Sequence, residues 1–176
     1  MIPSGSGMFQ AWLGALLFAA VLLLSTDAAA QNISGRANAV EGDVLVIDAA
    51  EYRITGIDAP DRGQRCVTAS RVTYDCFEMS RLVLARLLES GPAECTVQSK
   101  LTPTQYRATC TVNGFDIGAH MVLTGWAMAH RRISQAYVSQ EVAAISRRRG
   151  LWDGRAEPPW IYRDRMLAEQ RASGMP

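Results

Sequence analysis

Apolar and polar residues alternate in three short runs, at positions 33–40, 44–48 and 52–57, and a period of two predicts β-strands there. Turn residues separate them at Glu41-Gly42-Asp43 and at 49–51. After a loop over 59–75 the rhythm lengthens. Leu82, Leu84, Ala85, Leu87 and Leu88 make one apolar side, which predicts a helix over 77–88 ended by Gly91-Pro92. Alternation returns at 93–99 and 106–112 around Thr102-Pro103, so these two runs predict a hairpin. A second helix is expected near 117–123, a break at Gly125, and a third helix over 137–149 stopped by Gly150. Five strands with a helix inserted before the last two fit an α+β, mainly β fold: a five-stranded oligonucleotide/oligosaccharide-binding barrel with about three helices over 31–154. Residues 155–176 read as a polar tail, partly tied down by Pro158-Pro159-Trp160.

The stretch from Ala11 to Leu24 carries no charge and is followed by Ala28-Ala29-Ala30. It is shorter than the roughly 20 apolar residues that cross a bilayer and suits a signal-peptide core, with cleavage expected before Gln31. Residues 1–30 are therefore expected to be an export signal, leaving a periplasmic or secreted monomer with no stable membrane insertion. Met1 to Gln10 contain no Lys or Arg, which keeps an uncleaved anchor as the alternative.

Export changes the meaning of the four cysteines, Cys66, Cys76, Cys95 and Cys110. No C-x-x-C spacing occurs, so a zinc site is not expected, and an oxidising compartment favours disulfides. The predicted hairpin sets Cys95 opposite Cys110, and facing residues of an antiparallel pair lie about 4.5–5.5 Å apart at Cα, within disulfide reach. Cys66 and Cys76 are left to close a short loop.

Composition narrows the function classes. With 48% hydrophobic and 20% charged residues the chain buries a core of its own, and a formal charge of +1 excludes a polyanion-coating protein. Any nucleic-acid role must rest on a local patch. Of the 18 basic residues only Lys100 is lysine, and the arginines suit bidentate contact with phosphate or carboxylate.

Candidate chemistry concentrates between Asp43 and Asp61. If the second and third strands pair, Asp43 and Asp58 converge at strand ends, beside the backbone carbonyl of Ala59. Paired carboxylates with a carbonyl are donors for a hard cation such as Ca²⁺. Arg53 would put a guanidinium at the same mouth, where it can bind phosphate and offset charge in a displacement. Asp61 could activate a water. Spacing alone favours a plainer account, turn and cap aspartates beside a surface arginine, because Asp-rich turns between strands are common. His120 and His130 have no partner of motif type and read as structural or solvent-facing.

From about Ser34 to Trp152 the chain resembles the staphylococcal-nuclease-like (thermonuclease) family. The marks are Gly42-Asp43, the run Arg53-Ile54-Thr55-Gly56-Ile57-Asp58-Ala59-Pro60-Asp61, Gly114-Phe115-Asp116-Ile117, Gly125-Trp126-Ala127 and Arg148-Arg149-Gly150-Leu151-Trp152. The four cysteines also look like those of its exported bacterial members. The resemblance implies a Ca²⁺-dependent phosphodiesterase that cleaves DNA or RNA, with single-stranded nucleic acid as partner. It implies metal ligands Asp43, Asp58 and the Ala59 carbonyl, a general base at Asp61 and a phosphate-binding Arg53.

Three positions depart from the family pattern. Val44 replaces a threonine, Asp61 replaces a glutamate, and the segment that supplies a second catalytic arginine reads Thr102-Pro103-Thr104-Gln105-Tyr106-Arg107. Counted from Cys110, the arginine position holds Gln105. Arg107 lies two residues along on the same strand face, about 7 Å away. It either takes the second arginine's place or is a surface residue opposite Gln98. The alternative function is a binding or accessory protein with weakened catalysis, holding another phosphodiester or an oligosaccharide, because some exported relatives are associated with exopolysaccharide (succinoglycan) synthesis.

Overall fold

The computed structural model describes residues 31–174, so the expected export signal lies outside the described residues. The fold is mixed α+β. One sheet contains β1 (Asn32–Gly35), β2 (Asn38–Glu41), β3 (Val44–Ile47), β4 (Ala50–Ile54), β8 (Ala93–Thr102) and β9 (Gln105–Val112), ordered β1-β8-β9-β4-β3-β2. The short β10 (Phe115–Asp116) also pairs with β9. Two smaller pairs lie outside it: β5 (Ile57–Asp58) with β11 (Met128–Ala129), and β6 (Arg65–Val67) with β7 (Thr73–Asp75).

The first predicted strand is in fact two. β1 pairs with β8 at one edge of the sheet and β2 with β3 at the other, yet only Arg36 and Ala37 separate them in the chain. Opposite edges joined by so short a link require the sheet to curl into a half-barrel. Inside the curl, Leu45, Ile54, Ala108 and Val112 from the strands meet Leu84 and Leu88 of α1 (Cys76–Leu88) and Met121 of α2 (Ile117–Leu123).

Local chemistry explains the element ends. Asp75 caps α1 by accepting from the Glu78 amide at 2.9 Å, and Asp116 caps α2 by accepting from the Ala119 amide at 2.8 Å. α1 buries Phe77, Ser80, Leu84 and Leu88, a three-to-four-residue rhythm, whereas Leu82 of the expected apolar side is 46% exposed. α3 (Val138–Ser146) ends three residues before the expected boundary at Arg149, and Arg148 takes a left-handed backbone (φ 50°) ahead of the 3-10 turn Gly150–Asp153.

Both cysteine pairs are disulfides. Cys95 faces Cys110 in the β8–β9 register with Cα atoms 4.1 Å apart, and Cys66–Cys76 ties β6 to the start of α1 at 5.6 Å. Such bonds persist in an oxidising environment. No helix of the described residues is long and apolar enough to cross a membrane.

The segment read as a tail differs most. It forms a fourth helix, α4 (Pro159–Ala172), with proline in its first turn. Its approach is fixed by the backbone pair Val67–Arg155 and by buried Gln64, whose Nε2 donates to the Glu157 carbonyl at 2.7 Å.

Candidate functional site

The β2–β3 turn is shaped by close packing. A Cβ on Gly42 would collide with the Ser80 hydroxyl of α1 and come within 2.8 Å of the Ala59 Cβ, so only glycine lets the turn lie against the helix. Asp43 follows directly, 2% exposed, and its carbonyl accepts from the Ile54 amide at 2.8 Å. From β4, Arg53 Nη1 donates to Asp43 Oδ2 at 2.8 Å and Nη2 to Glu41 Oε2 at 3.0 Å. Burial pushes the Asp43 carboxyl up to about 7; Arg53 pulls it down, and the neighbouring carboxylates of Asp58 and Glu41 push it up again.

Asp58 ends β5, opposite Met128 of β11, and is 4% exposed. Ala59 is buried next to it. The chain then turns so that Asp61 and Gln64 clasp each other: the Asp61 amide donates to Gln64 Oε1 at 3.0 Å and the Gln64 amide to the Asp61 carbonyl at 2.9 Å. Burial raises the Asp61 carboxyl above the usual carboxylate range, although Arg163 opposes the shift.

Arg107 belongs to the same cleft. β4 and β9 run parallel, and their register sets Tyr52 beside Tyr106 and Arg53 beside Arg107. The two tyrosine rings stack at 5.5 Å on the inner face, so the arginines share the other face. Two register shifts in the β8–β9 hairpin, between Val97 and Ser99 and between Lys100 and Thr102, pair Arg107 with Ser99 instead of Gln98. Gln105 is turned to Glu51, to which its Nε2 donates at 2.7 Å. A cavity of about 290 Å³ is lined by Asp43, Arg53, Asp58, Asp61 and Arg107, together with Glu41 and Arg163.

Arg163 is the residue that sequence reasoning missed. From α4, its Nη1 donates to Asp58 Oδ1 at 3.1 Å and to both Asp61 oxygens at 3.0 and 2.9 Å, while Nη2 donates to Asp58 Oδ2. One guanidinium thus spans two carboxylates, the fork geometry at which arginine excels. The available signal was Pro158-Pro159 followed by a run without glycine or proline, a helix start that would present an arginine one turn later.

The donor set suits a hard cation in kind: Asp43 and Asp58 supply nearly buried oxygens, Ala59 can add its carbonyl, and a positive group already stands on Asp58. Among the described residues no three acidic, imidazole or thiol side chains come together with metal-ligand spacing, so the set remains two carboxylates and a carbonyl. Four carboxylates face three guanidiniums around the cavity, leaving an excess of negative charge that an anionic substrate would meet.

Other polar and aromatic residues near the cleft are structural or lie to one side. Tyr137 is buried and its hydroxyl donates to Asp116, and Arg131 pairs with the buried Glu141. His130 lines both the carboxylate cleft and a second cavity of about 380 Å³ walled by Trp152 and Trp160, and its ring meets the Trp160 ring edge-on at 5.4 Å.

No family model matches the chain. It is 30% identical over 150 residues to the succinoglycan biosynthesis protein ExoI of Rhizobium meliloti (strain 1021), an alignment covering 83% of this chain and 76% of that protein.

Proposed function

The chain belongs to the family of the succinoglycan biosynthesis protein ExoI, and from the residues gathered at its cleft we propose that it is a periplasmic or secreted phosphodiesterase of the staphylococcal-nuclease type, built on a five-stranded oligonucleotide/oligosaccharide-binding barrel. The observation that carries this reading is the convergence of Asp43, Asp58 and Asp61 with Arg53 and Arg107 on one cleft. Its substrate is a phosphodiester chain, with single-stranded DNA or RNA as the first candidate.

In this reading Asp43, Asp58 and the Ala59 carbonyl hold Ca²⁺. The cation, when bound, polarises the phosphoryl oxygen as a Lewis acid. Arg53 and Arg107, side by side on parallel strands, bind the non-bridging oxygens and offset the charge that builds as the phosphorus–oxygen ester bond breaks. Asp61 takes the proton of the attacking water, and the leaving oxygen takes one from solvent. Asp61 can act only with its oxygens free of Arg163. The test is cleavage of single-stranded DNA and RNA by the oxidised protein with Ca²⁺ and with chelator. Chelator-sensitive cleavage lost in Asp58→Asn is expected; no cleavage of either polymer overturns the nuclease reading.

The four hydrogen bonds from Arg163 to Asp58 and Asp61 favour a second reading. In it the barrel is an accessory in exopolysaccharide (succinoglycan) biosynthesis that binds an oligosaccharide or another phosphodiester without turnover. Under this reading Asp58→Asn leaves the polysaccharide phenotype intact, and under the first it abolishes the activity.

A further inference from the structure

Arg163 stands on the same carboxylates to which the reading above assigns the cation and the general base. Asp58 has both oxygens engaged and so does Asp61. A cation bound to Asp58 at about 2.3–2.6 Å would share those oxygens with a like-charged guanidinium, and the two positive groups repel at that range. Occupancy by one therefore opposes occupancy by the other.

The helix that carries Arg163 is lightly held. Pro159 is its only buried residue, Trp160 packs against the cluster formed by Cys66, Cys76, Met128 and Leu151, and Ile161 and Leu167 are 45% and 49% exposed. The Arg163 side chain itself is 41% exposed, so solvent and ions reach it. Beyond it, Arg165 pairs with Glu157 and Glu169, the first in the segment leading into the helix and the second within it, and adds no anchor to the cleft.

We propose that the C-terminal helix carries the resting occupant of the cation site: Arg163 and a divalent cation are alternative partners of Asp58, and cation binding releases Arg163 from Asp58 and Asp61 and with it the helix. The inference rests on the cation-dependent reading above. Its consequence is that one event supplies the cation, frees Asp61 to accept a proton and opens the cleft mouth to a chain-like substrate. A tethered arginine acts at a high effective concentration, and a cation that binds only the unlatched fraction shows an affinity reduced by that fraction.

The experiment is calorimetric titration of Ca²⁺ into the oxidised protein, its Arg163→Gln and Arg163→Lys variants, and Arg165→Ala as the same-helix control. Amide hydrogen exchange over residues 160–172 of the unmodified protein, with and without Ca²⁺, is measured in parallel. Expected are a Kd lowered about tenfold or more in Arg163→Gln, an intermediate value in Arg163→Lys, which lacks the fork, and no change in Arg165→Ala. Exchange over 160–172 should quicken severalfold on Ca²⁺ addition, a readout that stands even if a variant fails to fold. Equal Kd values in the unmodified protein and Arg163→Gln, or a helix as protected with Ca²⁺ as without it, overturn this inference alone. No Ca²⁺ binding to any of the proteins overturns the cation site and this inference with it.

Discussion

Arg163 donates to both carboxylate oxygens of Asp58 across 105 positions of sequence. Asp58 is almost wholly buried and Arg163 is partly exposed, so the pair joins a desolvated charge to one that water still reaches. Removing the arginine leaves the carboxylate uncompensated. Arg163→Ala is expected to lower stability by about 2 kcal/mol in chelator, read from urea unfolding, while Arg165→Ala at an exposed position changes it little. Equal midpoints for the two variants would show that the Arg163 contact is energetically idle.

The parallel register of β4 and β9 makes a separate claim about the second arginine. Arg107→Ala is expected to reduce phosphodiester cleavage on the order of a hundredfold, whereas Gln105→Ala, whose side chain faces Glu51, stays within a few-fold of the parent. Steady-state rates on a single-stranded oligonucleotide separate the two. The reverse order would assign the second phosphate contact to Gln105 and overturn the role drawn from the β4–β9 register.

Gly42→Ala tests the turn that aims Asp43. The added methyl meets the Ser80 hydroxyl, which is buried and donates to the Trp126 carbonyl, so neither partner has room to retreat. A loss of about 1–3 kcal/mol is expected, together with weaker Ca²⁺ binding as Asp43 shifts. Parent-like stability and affinity would remove the packing account of this glycine.

The raised Asp43 acidity has a definite pH signature. An acid whose folded value is near 7 and whose unfolded value is 3.8 binds more protons when folded between those limits. Its contribution is fully present below 3.8 and is lost as pH rises through 7, so stability falls over that window as Asp43 ionises in its buried site. The change is on the order of 4 kcal/mol. Asp43→Asn should flatten the decline in chelator-treated protein between pH 4 and pH 8, and an unchanged profile assigns it to another group.

Removal of the hairpin disulfide offers a further check. Cys95–Cys110 closes 15 positions of chain, for which the chain-entropy account gives about 3 kcal/mol. The double variant Cys95→Ser/Cys110→Ser should lose roughly that amount in denaturant unfolding. A loss near zero would mean that the hairpin is already constrained in the unfolded chain.

Much of this protein was determined locally. Strict alternation at 93–99 and 106–112 set Cys95 against Cys110, because a one-residue slip would turn the whole apolar set outward. The apolar rhythm placed helices over 77–88 and near 117–123, whereas Asp43, Arg53, Asp58 and Asp61 stood out as a site through the family resemblance, since their spacing alone favours turn and cap residues. What tertiary structure alone decided lies where no local rule reaches. The parallel register of β4 and β9 set Arg107 beside Arg53 at the cleft and Gln105 beside Glu51, and a pairing of strands so far apart in the chain leaves no mark in a periodicity of two. The break at Arg36-Ala37 follows from the two edges of the curled sheet drawing partners from different parts of the chain. The last helix has no clear apolar stripe, since it is held at its first turn and by one guanidinium rather than along a face. Arg163 acquires its role only because folding carries it to two carboxylates that lie over a hundred residues away, and the free energy of that contact depends on their burial, which belongs to the whole fold.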